Sequence, residues 1–302
     1  MRDSFSNTLV EATLKDERVY LLTGDHGYAL FDSLRKTSPD RYINAGVAEQ
    51  NMVGVAAGMA KAGLIPIVYG LASFIPIRVL EQIKLDICFE NLHVILIGDG
   101  AGVVYSKLGV SHQCSEDISA IRAIPNIRIF SPSDKYEMKL CMENALAYDG
   151  PTYIRVGKSD MGEVHSSSDF SSAPGIHEVI KAQNGQPVIM ATGSMVKVAQ
   201  NLIKKEFPGF GLCSVTQIKP FHESDFLKFT HHSNLIISLE EHSVYGGLGS
   251  TICETVTGSV PKKVLRLGIE DKFSDKCGTY EYLMHEHGLD EKALIQKIRS
   301  QI

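Results

Sequence analysis

No run of apolar side chains in this 302-residue chain approaches the roughly 20 needed to cross a bilayer. The opening Met1-Arg2-Asp3-Ser4-Phe5-Ser6-Asn7 lacks the apolar stretch of a secretory signal, so a cytoplasmic location without a membrane partner is expected. Basic surplus is missing too. The net charge is −5, and with no basic stripe to neutralise phosphates a nucleic-acid partner is not expected. Lys204-Lys205 and Lys262-Lys263 are isolated pairs that read as solvated surface. The six cysteines (Cys88, Cys114, Cys141, Cys213, Cys253, Cys277) are scattered without a Cys-x-x-Cys, mostly in apolar patterns, which fits buried thiols in a reducing compartment. His231-His232 and His285-Glu286-His287 have no second pair at ligand spacing, so they read as surface histidines and this chain is assigned no metal site.

What is present is enough apolar residue, 44%, for a sizeable core in a chain about two ordinary domains long. Strand-like and helix-like segments alternate, which predicts an α/β protein of two domains, each a mostly parallel sheet with helices on both faces. In the first half, strands are expected at 18–23, 65–69, 92–97, 127–130 and 152–156, and helices at 49–62, 75–90 and 133–148. Residues 159–175, rich in Ser with a Pro and two Gly, read as a linker. This divides the chain into 1–158 and 176–302. The second half repeats the alternation at 187–192, 195–205, 211–215, 235–239, 247–256 and 263–267, with a helix near 291–299.

The most informative stretch is Tyr42-Ile43-Asn44-Ala45-Gly46-Val47-Ala48-Glu49-Gln50-Asn51-Met52, which puts Glu49 at the mouth of a helix after a short apolar strand. A glutamate there is ordinarily a partner for the free N–H groups of the first turn. Phe74, 25 positions on, reads by itself as core packing at a strand-to-helix junction. Gly98-Asp99-Gly100-Ala101-Gly102 after a strand also allows a nucleotide-binding module, although a dinucleotide fingerprint needs a helix next and a loop follows here.

Taken in order, Glu49, Phe74 and a loop ending at His112 resemble the pyrimidine-binding domain of the transketolase family of thiamine-diphosphate enzymes. Ala48-Glu49-Gln50 is similar to that family's Ala-Glu-Gln signature, Ser73-Phe74 to its Thr-Phe element, and Leu108-Gly109-Val110-Ser111-His112-Gln113 to its Asp-Gly-Pro-Thr-His-Gln loop. Pro125-Asn126, Ser131-Pro132-Ser133-Asp134, Ala191-Thr192-Gly193-Ser194 and Glu240-Glu241-His242 with Gly246 to Ser250 follow in register with the family, the last two resembling the transketolase C-terminal domain. Leu267 to Phe273 resembles the end of deoxyxylulose-phosphate synthases.

The resemblance implies that Glu49 hydrogen-bonds N1′ of the cofactor's aminopyrimidine. That contact favours the 4′-imino tautomer that removes the C2 proton. It places Phe74 on the pyrimidine face, Asp25 near the thiazolium, and Arg78 as a further cofactor contact one residue later than in the synthases. His112 and His26 are implied at the substrate, with Arg2 and Lys158 as basic groups for its distal end. Several polar family positions are replaced. A clamp histidine corresponds to Gly98, a serine to Ala29, the loop aspartate to Leu108, and a synthase arginine to Gly100. These changes point away from a standard pentose or hexose phosphate and toward a different ketose, such as a modified or carrier-linked sugar.

The family holds the cofactor's diphosphate and Mg²⁺ with Gly-Asp-Gly followed by Asn-Asn, oxygen ligands suited to that hard cation. Here Asn126 lies 26 positions after Gly100, but Ile127 follows it and Asp99 comes after Glu49 in the chain, so the motif is rejected as that site. The implied partner is therefore an N-terminal-type transketolase subunit carrying the diphosphate and Mg²⁺ domain, in an α2β2 assembly. The implied reaction is transfer of a two-carbon ketol unit from a ketose to an aldehyde. The β subunit of a 2-oxoacid dehydrogenase, similar in length and domain order, is the alternative within thiamine chemistry.

Overall fold

The computed structural model describes residues 1–166, 173–259 and 261–302. The first half runs α1 (Arg2–Lys15), β1 (Val19–Thr23), α2 (Asp32–Thr37), β2 (Tyr42–Asn44), α3 (Glu49–Lys61) and β3 (Ile65–Leu71). It continues with α4 (Leu80–Gln82), β4 (Ile95–Asp99), α5 (Asp117–Arg122), β5 (Arg128–Phe130), α6 (Lys135–Ala147) and β6 (Thr152–Val156). The second half holds β7 (Ile176–Ile180), β8 (Val188–Ala191), α7 (Met195–Glu206), β9 (Gly211–Val215), β10 (Gln217–Lys219), α8 (Glu223–Thr230), β11 (Leu235–Ser243), α9 (Leu248–Gly258), β12 (Lys263–Ile269), α10 (Tyr280–Glu286) and α11 (Glu291–Arg299).

Two sheets result. The larger has the order β10-β5-β6-β4-β3-β1-β2, and the smaller β12-β11-β8-β9-β7. Every pairing is parallel except β10 with β5 and β7 with β9. Every residue of β3, β4 and β6 is buried, as expected for parallel strands covered by helices on both faces. On one side of the larger sheet Phe5 and Leu9 of α1 pack with Met138 and Met142 of α6 over Leu21, Ile67 and Ile97. On the other, Met52, Val53 and Ala56 of α3 pack over Leu22, Val68 and Leu96.

The second half is not confined to its own sheet. Strand β10, which no apolar periodicity announced, closes the edge of the larger sheet. A second difference lies between 75 and 90, where one regular helix was expected. The Leu71 carbonyl accepts from both Phe74 and Ile75, so the chain turns first. Residues 77–79 are then 3₁₀, 80–82 α and 83–88 π-helical. This places Phe74 on a tight turn and Arg78 in the first helical residues.

Residues 159–166 and 173–175 carry neither helix nor strand, and Ser167, Ser168, Ser171 and Ser172 lie outside the described residues. The start of this segment is fixed by Asp134. Its carboxylate caps α6 through the N–H groups of Tyr136 and Glu137 and also accepts from those of Val164 and His165. Burial raises this carboxyl's pKa, but hydrogen bonds from His165 and the backbone outweigh that and hold it at about 2.

Two surface assignments are corrected. His287 is buried, with Nε2 2.9 Å from Ser274 Oγ, whereas His231, His232 and His285 are exposed. Lys262 is not simply solvated, since its ammonium caps the end of α8 by donating to the carbonyls of Thr230, His231 and Ser233. The six cysteines are free thiols, with Cys88, Cys114, Cys141 and Cys213 buried and Cys277 exposed.

Candidate active site

The residues singled out from the sequence come mainly from loops beyond the carboxyl ends of parallel strands, where ligands bind in open α/β sheets. Asp25 and His26 follow β1, Glu49 follows β2, Phe74 and Arg78 follow β3, Asp99 ends β4, and Lys158 follows β6. A Cβ at position 24 would lie 3.1 Å from the Gly46 carbonyl, a tight approach that this backbone would have to relieve, and 3.8 Å from Glu49 Cγ, an ordinary contact. The β1 and β2 loops thus close directly on Glu49.

Glu49 is the first residue of α3 and is 3% exposed. Its Oε2 accepts from Arg78 Nη1 at 2.9 Å, while its buried Oε1 has no hydrogen-bond partner among the described residues. A buried carboxylate oxygen left unmatched is costly, so a site of this kind fits a ligand N–H. Arg78 Cζ also lies 3.9 Å from the centroid of the Phe74 ring, so one guanidinium links the carboxylate to the aromatic face. Phe74 in turn meets His112 edge-on at 5.4 Å between centroids and His26 at 6.1 Å. The orphaned Oε1, beside an aromatic ring, fits the protonated N1′ edge and the flat face of an aminopyrimidine.

His26 is half-buried. Burial lowers its pKa, against the opposing pull of the Glu49 and Asp25 carboxylates, so the imidazole is neutral near pH 7. Asp25 is exposed and adopts a left-handed backbone, φ 61°, with its N–H donating to Asn44 Oδ1 at 3.1 Å. His112 sits on the loop after β4, with Nδ1 2.9 Å from Ser111 Oγ.

Arg2 lies in an adjoining cavity of about 230 Å³ that it shares with His26, Tyr28, Tyr69, Asp99 and Tyr105. Its guanidinium forks onto Asp99, Nε to Oδ1 at 3.0 Å and Nη2 to Oδ2, which leaves Nη1 without a hydrogen-bond partner among the described residues. Tyr105 Oη donates to Asp99 Oδ2 at 3.0 Å, and burial together with the Asp99 charge pushes this phenol up to about 12. Lys158 is not brought into this cavity. It pairs with Asp160 at 2.6 Å and faces Tyr280 across a separate groove of about 410 Å³.

Two departures from the family pattern have a steric cause. A Cβ at Gly98 would overlap the Tyr153 hydroxyl and lie 2.7 Å from the Ile75 carbonyl, so no clamp side chain fits. A Cβ at Gly100 would overlap Tyr105, whose ring occupies that space. Asp99 is the carboxylate that fixes Arg2. Nor does the glycine run open a helix, since α5 begins only at Asp117, and this removes the nucleotide-cradle reading. Sequence reasoning missed Tyr105, although its position six residues after Asp99 in a glycine-rich loop was the available signal. Ser194 and Glu241 stood in the sequence only as parts of motifs resembling the C-terminal domain, with no role attached, and Tyr280 was missed.

This is the arrangement expected of the pyrimidine-binding half of a thiamine-diphosphate enzyme. Residues 1–163 match the family described as "Transketolase, pyrimidine binding domain", and residues 178–294 that described as "Transketolase, C-terminal domain". The chain belongs to the transketolase family. It is 32% identical over 303 residues to the 6-deoxy-6-sulfo-D-fructose transketolase subunit of Clostridium sp. (strain MSTE9), covering 98% of this chain and 92% of that one. An apulose-4-phosphate transketolase subunit of Actinobacillus succinogenes is 32% identical over 264 residues, 86% of this chain and 84% of its own. A solved structure described as "Split gene transketolase, inactive beta4 tetramer" superposes with a TM-score of 0.87 at 27% identity, covering 99% of this chain and 96% of its own. In length and domain content the chain corresponds to the β-type subunit of split transketolases. The 2-oxoacid dehydrogenase alternative is not favoured.

Proposed function

We propose that this chain is the aminopyrimidine-binding subunit of a two-subunit enzyme that moves a ketol unit from a ketose donor to an aldehyde acceptor. The observation that carries it is the buried Glu49 carboxylate, one oxygen on Arg78 and the other unmatched among the described residues, next to the Phe74 ring. When bound, thiamine diphosphate supplies a nucleophilic carbon that cleaves a ketose beside its carbonyl.

The protein's part is tautomer, orientation and proton handling. Glu49 Oε1, itself buried, would share a proton with N1′, Phe74 would set the plane of the ring, and Arg78 holds the other carboxylate oxygen in place. Asp25 lies on the thiazolium side. His26, neutral, and His112 serve the substrate's hydroxyls. Arg2 presents Nη1 to the donor's distal end, while Lys158, paired with Asp160 in a separate groove, is given no part in donor binding.

Mg²⁺ and the diphosphate are held by a partner of the N-terminal transketolase type, in an α2β2 assembly in the cytoplasm. The relative named as an inactive β4 tetramer supports a β-type chain that self-associates without activity when its partner is missing. Support for a modified ketose comes from the lost polar positions at Ala29, Gly98 and Leu108 and from the relative that acts on a sulfonated fructose. The test is to reconstitute the pair with thiamine diphosphate and Mg²⁺, then assay ketose cleavage beside 2-oxoacid oxidation with lipoamide. Ketol transfer by the pair and by neither chain alone is expected, and lipoamide-dependent turnover instead would overturn the reading.

A further inference from the structure

The loop between β4 and α5 carries Tyr105, Leu108 and His112, yet it is tied down from the second half of the chain. An antiparallel bridge between Gly102 and Cys114 closes its base, with N–O distances of 2.7 and 2.9 Å. At that base the Val103 N–H donates to Glu241 Oε1 at 2.8 Å, and a Cβ at Gly102 would overlap the same carboxylate. The backbone therefore lies directly on Glu241. The other carboxylate oxygen accepts from Ser194 Oγ at 2.8 Å and Tyr280 Oη at 2.7 Å, while the Glu241 carbonyl accepts from Arg155 Nη2 at 2.7 Å. Glu241 is thus buried and held on all sides. Further out, Ser274 Oγ donates to Gln113 Oε1 at 2.7 Å, beside His112, and the Gly278 N–H donates to the Ser106 carbonyl at 3.3 Å.

Glu49, Phe74 and Arg78 stand on other segments, α3 and the turn after β3, and take no hydrogen bond from these groups among the described residues. The two parts touch through the Phe74–His112 ring contact but have separate hydrogen-bond supports. We propose that Glu241 is a positioning residue for donor binding: it fixes, from the second sheet, the loop that brings His112 and Tyr105 to the substrate, while cofactor activation stays with Glu49. This rests on the reading of the site as a ketol transferase.

The test compares Glu241→Gln and Ser274→Ala in the reconstituted pair with wild type, reading donor KM, kcat and C2 proton exchange of bound cofactor. Geometry lost at a substrate-facing loop predicts a donor KM raised about tenfold in Glu241→Gln and about threefold in Ser274→Ala, with exchange within about twofold of wild type. Ser274 is half-buried, so its variant carries the test if Glu241→Gln fails to fold. Unchanged KM in the folded variants, or exchange lost in parallel with KM, overturns the proposal. A wild-type pair that exchanges the C2 proton but transfers no ketol unit instead removes the functional reading beneath it.

Discussion

Arg78 Nη1 lies 2.9 Å from Glu49 Oε2, and the same guanidinium sits 3.9 Å above the Phe74 ring. The arginine side chain is 43% exposed, so its pairing energy is screened and its main effect is geometric. It keeps one carboxylate oxygen occupied and leaves the other to a ligand. Arg78→Gln is expected to slow C2 proton exchange about tenfold in the reconstituted pair, as loss of a charged hydrogen bond implies. In a Glu49→Gln background the same change should add little, because residues acting through one interaction are not additive. Full additivity in that double-mutant cycle would show that Arg78 acts elsewhere.

Phe74 touches Arg78, His112 and His26 at once. Phe74→Leu keeps bulk and removes the ring. Stacking of aromatic rings contributes about 0.5–1.5 kcal/mol, so the variant pair should bind thiamine diphosphate about two- to tenfold more weakly by calorimetry. Unchanged affinity would make Phe74 a packing residue.

The Asp99–Arg2 fork predicts a change in specificity. Asp99→Asn keeps the shape and removes the charge that orients Arg2. For a ketose with an anionic distal group, KM should rise about tenfold. A short donor such as erythrulose, which has no such group, should be unaffected. Equal effects on both donors in steady-state kinetics would place Arg2 outside the distal pocket.

A pH prediction follows from Glu240 and His242, whose Oε2 and Nδ1 are 3.6 Å apart at the junction of the two halves, with Asp117 3.9 Å from Nε2. Burial pulls His242 down from 6.5 to about 4 and pushes Glu240 up from 4.5 to about 7, the latter against the N–H groups of Gly249 and Leu248. The imidazole binds its proton more tightly when unfolded, so its contribution is full above 6.5 and is lost as pH falls toward 4. The carboxyl binds its proton more tightly when folded, so stability from that group grows as pH falls from 7 toward 4.5. The two trends offset each other between 4.5 and 6.5. Glu240→Gln removes the offset, and its melting temperature should drop more steeply than wild type over that window. Parallel curves would contradict the assignment.

How much of this was legible beforehand depended on distance along the chain. Strands 152–156 and 211–215 were read to the residue because buried parallel strands are continuous apolar runs with clear ends. Helix α1 was not read, since its buried positions are Phe5, Ser6, Thr8, Leu9 and Thr13, too polar for an apolar stripe. Glu49, Phe74 and His112 stood out through order and spacing, and the structure joins them through Phe74, which meets His112 on one side and the Glu49-bound Arg78 on another. Their surroundings did not stand out. The Arg2–Asp99 fork spans 97 positions and the Val103–Glu241 bond 138, contacts that no local pattern encodes. The family resemblance makes Lys158 a counterpart of Arg2, and only the fold shows that it lies in a different groove.

The most direct measurement is hydrogen–deuterium exchange at C2 of thiamine diphosphate bound to the reconstituted pair carrying Glu49→Gln. An amide cannot share the proton at N1′ as a carboxylate does, so exchange should fall at least about a hundredfold while assembly and melting temperature stay near wild type. Exchange close to the wild-type rate in that variant would contradict the account.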